Sequence, residues 1–397
     1  MHLFQSWRSI RFILPAWLAG LVFLSACSAG GATIISTPSA DTQPPGTMKP
    51  TYVLPTLPAV LPAACTVVSA APTAAATAES LFTPVTSQDH QRGKDSAVVT
   101  ILQYCDFQSA QCGYLAPVLA TLSEEIGDDL RVVYRYFPLP GSDKGLLASQ
   151  AAEAAARQGK FWEMHDRLFG NQSVWVNFAE EGFVSWLQTQ AGELRLNVEQ
   201  FTSDLKSAQV IGVVKAAQDN GLAIGLPGVP FLVINGKMYQ GSRDINNLRQ
   251  VVQLLRLQER QFTQCPPFTL DTKKQYTARL VTSRGDVVLS LFADQAPMAV
   301  NSFIYLAQNG WFDNTSFFNV EQNYRVFAGD PSGTGMGNPG YLFGDEITSG
   351  LRFDRAGVVA LVSNGPDTNG SQFFITLAAT PDLNNRNTIF GQVLRGM

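Results

Sequence analysis

At 397 residues the chain is long enough for two or three domains, each with its own core. A formal net charge of −4, a charged content of 15% and the lack of any Lys/Arg cluster exclude an electrostatic nucleic-acid surface. The histidines, His2, His90 and His165, lie far apart and no Cys/His pair has ligand spacing, so neither a metal nor a cofactor is expected.

The N-terminus carries Arg8 and Arg11 ahead of an apolar run, "FILPAWLAGLVFL", that is too short for a comfortable membrane span. It ends in Leu24-Ser25-Ala26-Cys27, which resembles a bacterial lipobox. The resemblance implies a signal peptide over residues 1–26, cleavage before Cys27, diacylglycerol on its thiol and anchoring to the cell membrane. An ordinary secretory signal is the alternative. Both place the mature protein outside the cytoplasm, where disulfides persist. Residues 27–85 are rich in Ala, Thr, Ser and Pro without helical or alternating pattern, as in a disordered stalk.

With Cys27 lipidated, Cys65, Cys105, Cys112 and Cys265 remain, and four cysteines allow three pairings. Cys65 and Cys265 flank the middle domain; joining them would clamp its ends and leave Cys105 with Cys112. Free, buried thiols are the competing reading.

Residues 86–262 read as one folded unit. A strand over Ala97–Tyr104, a helix over Gly113–Ile126 and a strand in "RVVYRYF" give the order of a parallel pair. Helical segments follow in "LLASQAAEAAARQG", "KFWEMHDRLFGN" and "EEGFVSWLQTQAG". "GVPFLVING" is a buried strand turning at Asn235-Gly236, and Lys237–Gln240 returns. A helix with Leu248, Val251, Val252 and Leu255 on one stripe closes the unit.

The parts "YCDFQSAQCGYLAP", "AAEAAARQGKFWEMHDRLF" and "GLPGVPFLVING" resemble the disulfide oxidoreductases of the DsbA kind. The resemblance implies a thioredoxin-like fold with a helical insertion and a cis-proline at Pro230. Thiol exchange needs an attacking thiolate at the helix start and a second, resolving thiol. Ser109 stands at the attacking position and Cys112 at the resolving one. Three readings stay open: a relocated pair of Cys105 and Cys112, Cys112 acting alone, or a groove near Pro230 that only binds unfolded chains. The last is favoured.

A proline-containing linker, 263–275, leads to a β-rich unit, 276–397. "YTARLVTSRGDVVLSLF" is a hairpin turning at Arg284-Gly285-Asp286. "PMAVNSFIYLAQNG" is a short helix from Pro297 to Gly310, and short strands with Gly-rich turns follow, as in a closed barrel. "NGPDTNGSQFFITLAATPDLNNRNTIFGQVLRGM", "GDPSGTGMGNPGYLFGDE" and "APMAVNSFIYLAQNGWFDNTSF" resemble the cyclophilin peptidyl-prolyl isomerases. That family implies a cyclophilin-like β-barrel and proline-containing polypeptides as partners. Gln372 and Phe374 match its substrate-backbone and proline-pocket residues, Leu383 a pocket leucine, and Tyr324 replaces a pocket phenylalanine. Asn319 replaces the catalytic arginine. Arg325 replaces a methionine, Phe327 a glutamine and Asn387 a histidine, while Val362-Ser363 replaces an Ala-Asn pair. The family also continues beyond "GQVLRGM", so the sheet edge is expected to lack its last strand here.

The sequence thus predicts a multidomain, extracytoplasmic folding factor: an α/β thioredoxin-like domain followed by a cyclophilin-like β-barrel. Its expected reaction is prolyl cis–trans isomerisation of reduced activity. A non-catalytic polypeptide-binding lipoprotein and a thiol oxidoreductase using Cys105 and Cys112 are the alternatives.

Overall fold

The computed structural model describes residues 7–12, 63–69, 82–348 and 350–397. Cys27, the expected cleavage site and most of the expected stalk lie outside the described residues. Two short strands precede the first domain, β1 (Trp7–Phe12) and β2 (Cys65–Val67). Among the described residues no helix is long and apolar enough to cross a membrane.

The middle domain is built on β3 (His90–Arg92), β4 (Val99–Cys105), β5 (Leu130–Tyr136), β6 (Phe231–Ile234) and β7 (Lys237–Tyr239), in the order β3-β5-β4-β6-β7. Strand β4 runs parallel to β5 and antiparallel to β6, with Ile101 opposite both Val132 and Ile234. Its residues are buried on both faces, as a central strand covered by helices requires. The connection between β4 and β5 is α1 (Ala110–Ile126), which begins three residues before the predicted Gly113. Ser109 explains the difference: its Oγ accepts from the Cys112 N–H at 3.4 Å and caps the helix.

Between β5 and β6 lies the expected helical insertion: α2 (Gly145–Ala156), α3 (Phe161–Gly170), α4 (Gln172–Trp175), α5 (Glu180–Glu193), α6 (Val198–Leu205) and α7 (Ala208–Ala223). Helix α2 buries Ala148, Ala151, Ala152, Ala154 and Ala155, and these small side chains let its neighbours approach closely. Helix α8 (Ile245–Gln258), capped by Asp244, buries Leu248 and Val252 against the sheet as predicted.

The C-terminal domain contains β8 (Tyr276–Thr282), β9 (Gly285–Leu291), α9 (Pro297–Gln308), β10 (Asn319–Glu321), β11 (Arg325–Ala328), β12 (Tyr341–Phe343), β13 (Val358–Leu361), β14 (Phe373–Thr376) and β15 (Ile389–Arg395). The main sheet runs β1-β8-β9-β15-β13-β14-β11-β10. It curls into a half-barrel, and among the described residues no ladder joins β10 to β1, so the closed barrel expected from the turns is open. Strand β1, which falls within the expected signal peptide, pairs antiparallel with β8. Helix α9 packs Val300, Phe303 and Leu306 onto this sheet. The Glu346 carboxylate accepts from the Met298 and Ala299 N–H groups at 2.9 and 2.8 Å and satisfies two orphan donors of its first turn.

The segment between the domains is not a free linker. Leu257, at the end of α8, is buried in the core of the C-terminal domain. Phe262 donates its N–H to the Pro339 carbonyl at 2.8 Å and packs its ring near Tyr305, Trp311 and Tyr341. The Arg260 guanidinium donates to the carbonyls of Gly310 and Trp311. The Thr269 N–H donates to Asn301 Oδ1, and Asn301 Nδ2 donates to the Pro267 carbonyl. Cys265 forms a disulfide with Cys65, with Cα atoms 6.2 Å apart, and β2 pairs antiparallel with β12. The bridge joins the flanking cysteines as favoured, but it fastens the segment around β2 to the C-terminal domain instead of clamping the middle domain shut. The end of the expected stalk is ordered too: Thr83 and Pro84 carbonyls accept from the Arg135 guanidinium.

Candidate functional sites

The pocket of the C-terminal domain follows from strand register. Opposed residues in an antiparallel pair share a face. Asn319 lies opposite Phe327 and Glu321 opposite Arg325. Phe327 in turn lies opposite Phe374, and Phe374 opposite Ala360. Asn319, Glu321, Arg325, Phe327 and Phe374 therefore project from one face, while Val326, Ile375 and Val359 project from the other into the core.

On the first face Phe374 (0% exposed), Phe327 (9%) and Leu383 (7%) pack with Phe353, Val358, Ala360 and Ile389. Phe318, Tyr324 and Val362 close the cluster as partly exposed members. Phe374 stacks on Phe353 with centroids 5.8 Å apart and lies 6.1 Å from Phe327. The result is an aromatic cup.

Arg325 sits over this cup. Its guanidinium carbon is 4.7 Å from the Phe327 ring centroid, 4.9 Å from Tyr324 and 5.1 Å from Phe374, all within cation–π range. Its Nε donates to Glu321 Oε2 at 2.8 Å. Tyr324 donates its hydroxyl to Asp382, and that hydrogen bond raises the phenol's pKa. Asn319 is exposed, and its amide has no hydrogen-bond partner among the described residues.

The remaining predicted residues form the rim. Gln372 is 9% exposed and its Nε2 donates to the Gly335 and Gly337 carbonyls at 3.1 and 2.8 Å. That amide nitrogen holds a loop and is already committed. Ser363 donates to the Gly365 carbonyl and meets Thr368 Oγ1 at 3.2 Å, within its own turn. Asn387 donates to the Leu361 carbonyl at 3.0 Å.

The loop that Gln372 grips also touches the other domain. A Cβ on Gly337 would run into the Asp330 carboxylate and lie 2.6 Å from Leu257 Cδ2, so a larger residue there would have to push these side chains aside. Met336 accepts from Gln250 Nε2 at 2.9 Å.

Sequence reasoning missed Glu321, Asp382 and Phe353. Glu321 was discoverable: it and Arg325 bracket a tight turn with Asn323 at φ 58°, which places them opposite each other. Phe353 lies in a loop far from every motif and carried no signal.

In the middle domain Cys105 and Cys112 form a disulfide, with Cα atoms 5.9 Å apart and both residues 0% exposed. It ties the end of β4 to the first turn of α1. Ser109, where the attacking thiol is expected, is half-buried and caps the helix. The Val229–Pro230 peptide bond is cis, as the resemblance implied. Beside it lies a groove of about 650 Å³ lined by Ala110, Gln111, Tyr114, Val229, Pro230 and Arg243. Tyr114 is 63% exposed there. Hence the first turn of α1 and Pro230 line one groove, and neither Ser109 nor the buried sulfurs of Cys105 and Cys112 are among its lining residues. No group of three or more potential metal ligands occurs among the described residues.

Both domains have known relatives. Residues 277–397 match the family described as cyclophilin type peptidyl-prolyl cis-trans isomerase/CLD, and residues 85–253 match the thioredoxin family. Peptidyl-prolyl cis-trans isomerase A of Mycobacterium tuberculosis is 41% identical over 145 residues, 33% of this chain and 80% of that protein. Peptidyl-prolyl cis-trans isomerase-like 1 of Gibberella zeae is 46% identical over 121 residues, 30% of this chain and 75% of that protein. Among solved structures, a cyclophilin type isomerase of Cryptosporidium parvum aligns at 38% identity and TM-score 0.30, covering 31% of this chain and 80% of that one. The alpha-DsbA1 of Wolbachia pipientis aligns at 17% identity and TM-score 0.40, covering 44% and 94%.

The C-terminal part therefore defines the protein's class, and the middle part is a thioredoxin-like domain. Through residues 277–397 the chain belongs to the cyclophilin type peptidyl-prolyl cis-trans isomerase family.

Proposed function

We propose that this protein is a lipid-anchored, extracytoplasmic folding factor that isomerises X-Pro bonds at a reduced rate. The observation that carries the isomerase reading is the aromatic cup of Phe374, Phe327, Tyr324 and Leu383. Rotation about an X-Pro bond faces a barrier of about 18–20 kcal/mol because the planar amide is resonance-stabilised. Twisting the amide breaks that resonance and leaves the nitrogen lone pair free to accept a hydrogen bond. A cup that seats the proline ring while donors meet the twisted amide favours the transition state over either planar isomer. No covalent step and no cofactor is required.

The reduced rate rests on Asn319. A neutral amide donates more weakly than a forked, charged guanidinium at the same position. The middle domain's role is to hold unfolded polypeptide in the groove beside Pro230. The oxidoreductase alternative is disfavoured because a buried Cys105–Cys112 bond offers no sulfur to a substrate.

Isomerisation of a short Ala-Pro peptide tests the central point. The protein is expected to exceed the uncatalysed rate, Phe374→Ala to fall to it, and Asn319→Arg to exceed wild type severalfold. Wild type at the uncatalysed rate, in folded protein, leaves the polypeptide-binding lipoprotein. Lipidation is tested separately by mass spectrometry of the mature N-terminus, where Cys27→Ala should abolish the diacylglycerol adduct.

A further inference from the structure

We infer that Arg325, held by Glu321, supplies the charged donor that Asn319 lacks and is the group that meets the twisted X-Pro amide. The inference rests on the isomerase reading and names the residue that would carry it.

Three observations converge. First, the β10–β11 register puts Arg325 on the same face as Asn319, Phe327 and Phe374, directly opposite Glu321. The neighbouring strand thus delivers a guanidinium to the side of the cup where Asn319 stands. Second, that guanidinium lies within 5.1 Å of the centroids of Tyr324, Phe327 and Phe374. A cation ringed by three aromatic faces is partly desolvated, and its hydrogen bonds there are stronger than in water. Third, Glu321 takes only Nε, so the terminal nitrogens Nη1 and Nη2 have no acceptor among the described residues. They remain available to a ligand in the cup.

Chemistry and geometry fit one another. Arginine stays protonated throughout, so it donates without a proton transfer, and its planar fork presents parallel N–H groups. Glu321 orients the fork through Nε, at 2.8 Å, and leaves the distal edge free. Asn319 is on the same face, but exposed and held by nothing, so its amide is poorly preorganised. Tyr324 cannot take over as donor, because its hydroxyl already donates to Asp382.

The test uses full-length protein in detergent and a short Ala-Pro peptide, followed by NMR exchange so that on-protein isomerisation is separated from binding. Arg325→Met keeps an apolar side chain over the cup and removes the donors. It is expected to slow isomerisation about 10²-fold, the effect of losing one preorganised donor, with peptide affinity within about threefold. Adding Asn319→Arg to Arg325→Met should restore most of the rate. Glu321→Gln, which leaves Arg325 in place but unpaired, should slow it by roughly fivefold, and Arg325→Lys should fall between. Melting temperature and near-ultraviolet dichroism report folding; should Arg325→Met unfold, the Lys and Gln variants decide by the same readout.

A wild-type rate in Arg325→Met, with Phe374→Ala inactive, overturns the inference and leaves the isomerase reading intact. Equal losses of affinity and rate would make Arg325 a binding residue and also overturn it. Wild type at the uncatalysed rate removes both together.

Discussion

At the start of α1 a capping hydroxyl, Ser109, stands where a thiol is expected, and the nearest sulfurs are buried. In the C-terminal pocket the aromatic walls are complete and the cation sits one strand away from its expected place. The two sites differ in what the change of reactive group costs. Thiol exchange needs a sulfur that a substrate can reach, and no neighbour can substitute for one. Isomerisation needs only a donor aimed at the right volume, and any residue on the correct face of the sheet can provide it. Electrostatic catalysis tolerates relocation of its group; covalent catalysis does not.

The sharpest way to break this comparison is to return the thiol. Ser109→Cys combined with Cys105→Ala creates a Cys-x-x-Cys at the N-terminus of α1, where the helix dipole stabilises a thiolate at the more accessible first position. Insulin-reduction turbidity should rise from background, at which wild type is expected, to a clear signal. No gain in folded protein would mean that the groove, and not the missing thiol, prevents exchange.

In the other site, Phe374→Ala should abolish isomerisation and destabilise the C-terminal domain by about 3–5 kcal/mol, as for a fully buried ring. Denaturant unfolding and the peptide assay on one sample check both effects.

The bond between Cys65 and Cys265 closes a sequence separation of 200 residues. Replacing both with serine should cost about 2–5 kcal/mol and release the segment around β2 from β12. Hydrogen exchange on Tyr341–Phe343 would show it. Leu257→Ala, which empties a site where α8 enters the C-terminal core, should cost about 2–4 kcal/mol. It should also loosen the loop that Gln372 grips, and the isomerase rate would report that.

The smallest effect separates the domains by pH. Burial acts to raise the carboxyl pKa of Glu153, but hydrogen bonds from His90 and Tyr136 outweigh it, and the pKa falls below its ordinary 4.5. Its stabilising contribution is present above pH 4.5 and is lost as pH drops through the folded value. Burial dominates at Glu346 and raises its pKa above 4.5 in spite of two backbone N–H donors. Its contribution is present below 4.5 and is lost as pH rises through the folded value. Acidification should therefore weaken α2 and strengthen the start of α9, which hydrogen exchange between pH 6 and pH 4 would resolve.

Much of this architecture is legible in the linear chain. The apolar run of β4, the stripe on α8 and the existence of the β8–β9 hairpin declare themselves by period and turn chemistry, although the turn falls at Ser283-Arg284, one residue before the expected Arg284-Gly285-Asp286. The aromatic run "GSQFFI" likewise alternates between cup and core by the period of a strand. The expectation that Ser109 stands in for a thiol and Asn319 for an arginine is also read there, since a family resemblance compares residues one position at a time. Only the tertiary structure decides what those replacements mean. Whether Cys105 and Cys112 are accessible depends on helices packed from the insertion, and whether Arg325 stands over Phe374 depends on how β11 pairs with β10 and β14. It likewise turns a proline-containing linker into an interface, through a disulfide and a leucine from α8. Local sequence sets which residues are present and which way each strand alternates; long-range packing sets which of them meet.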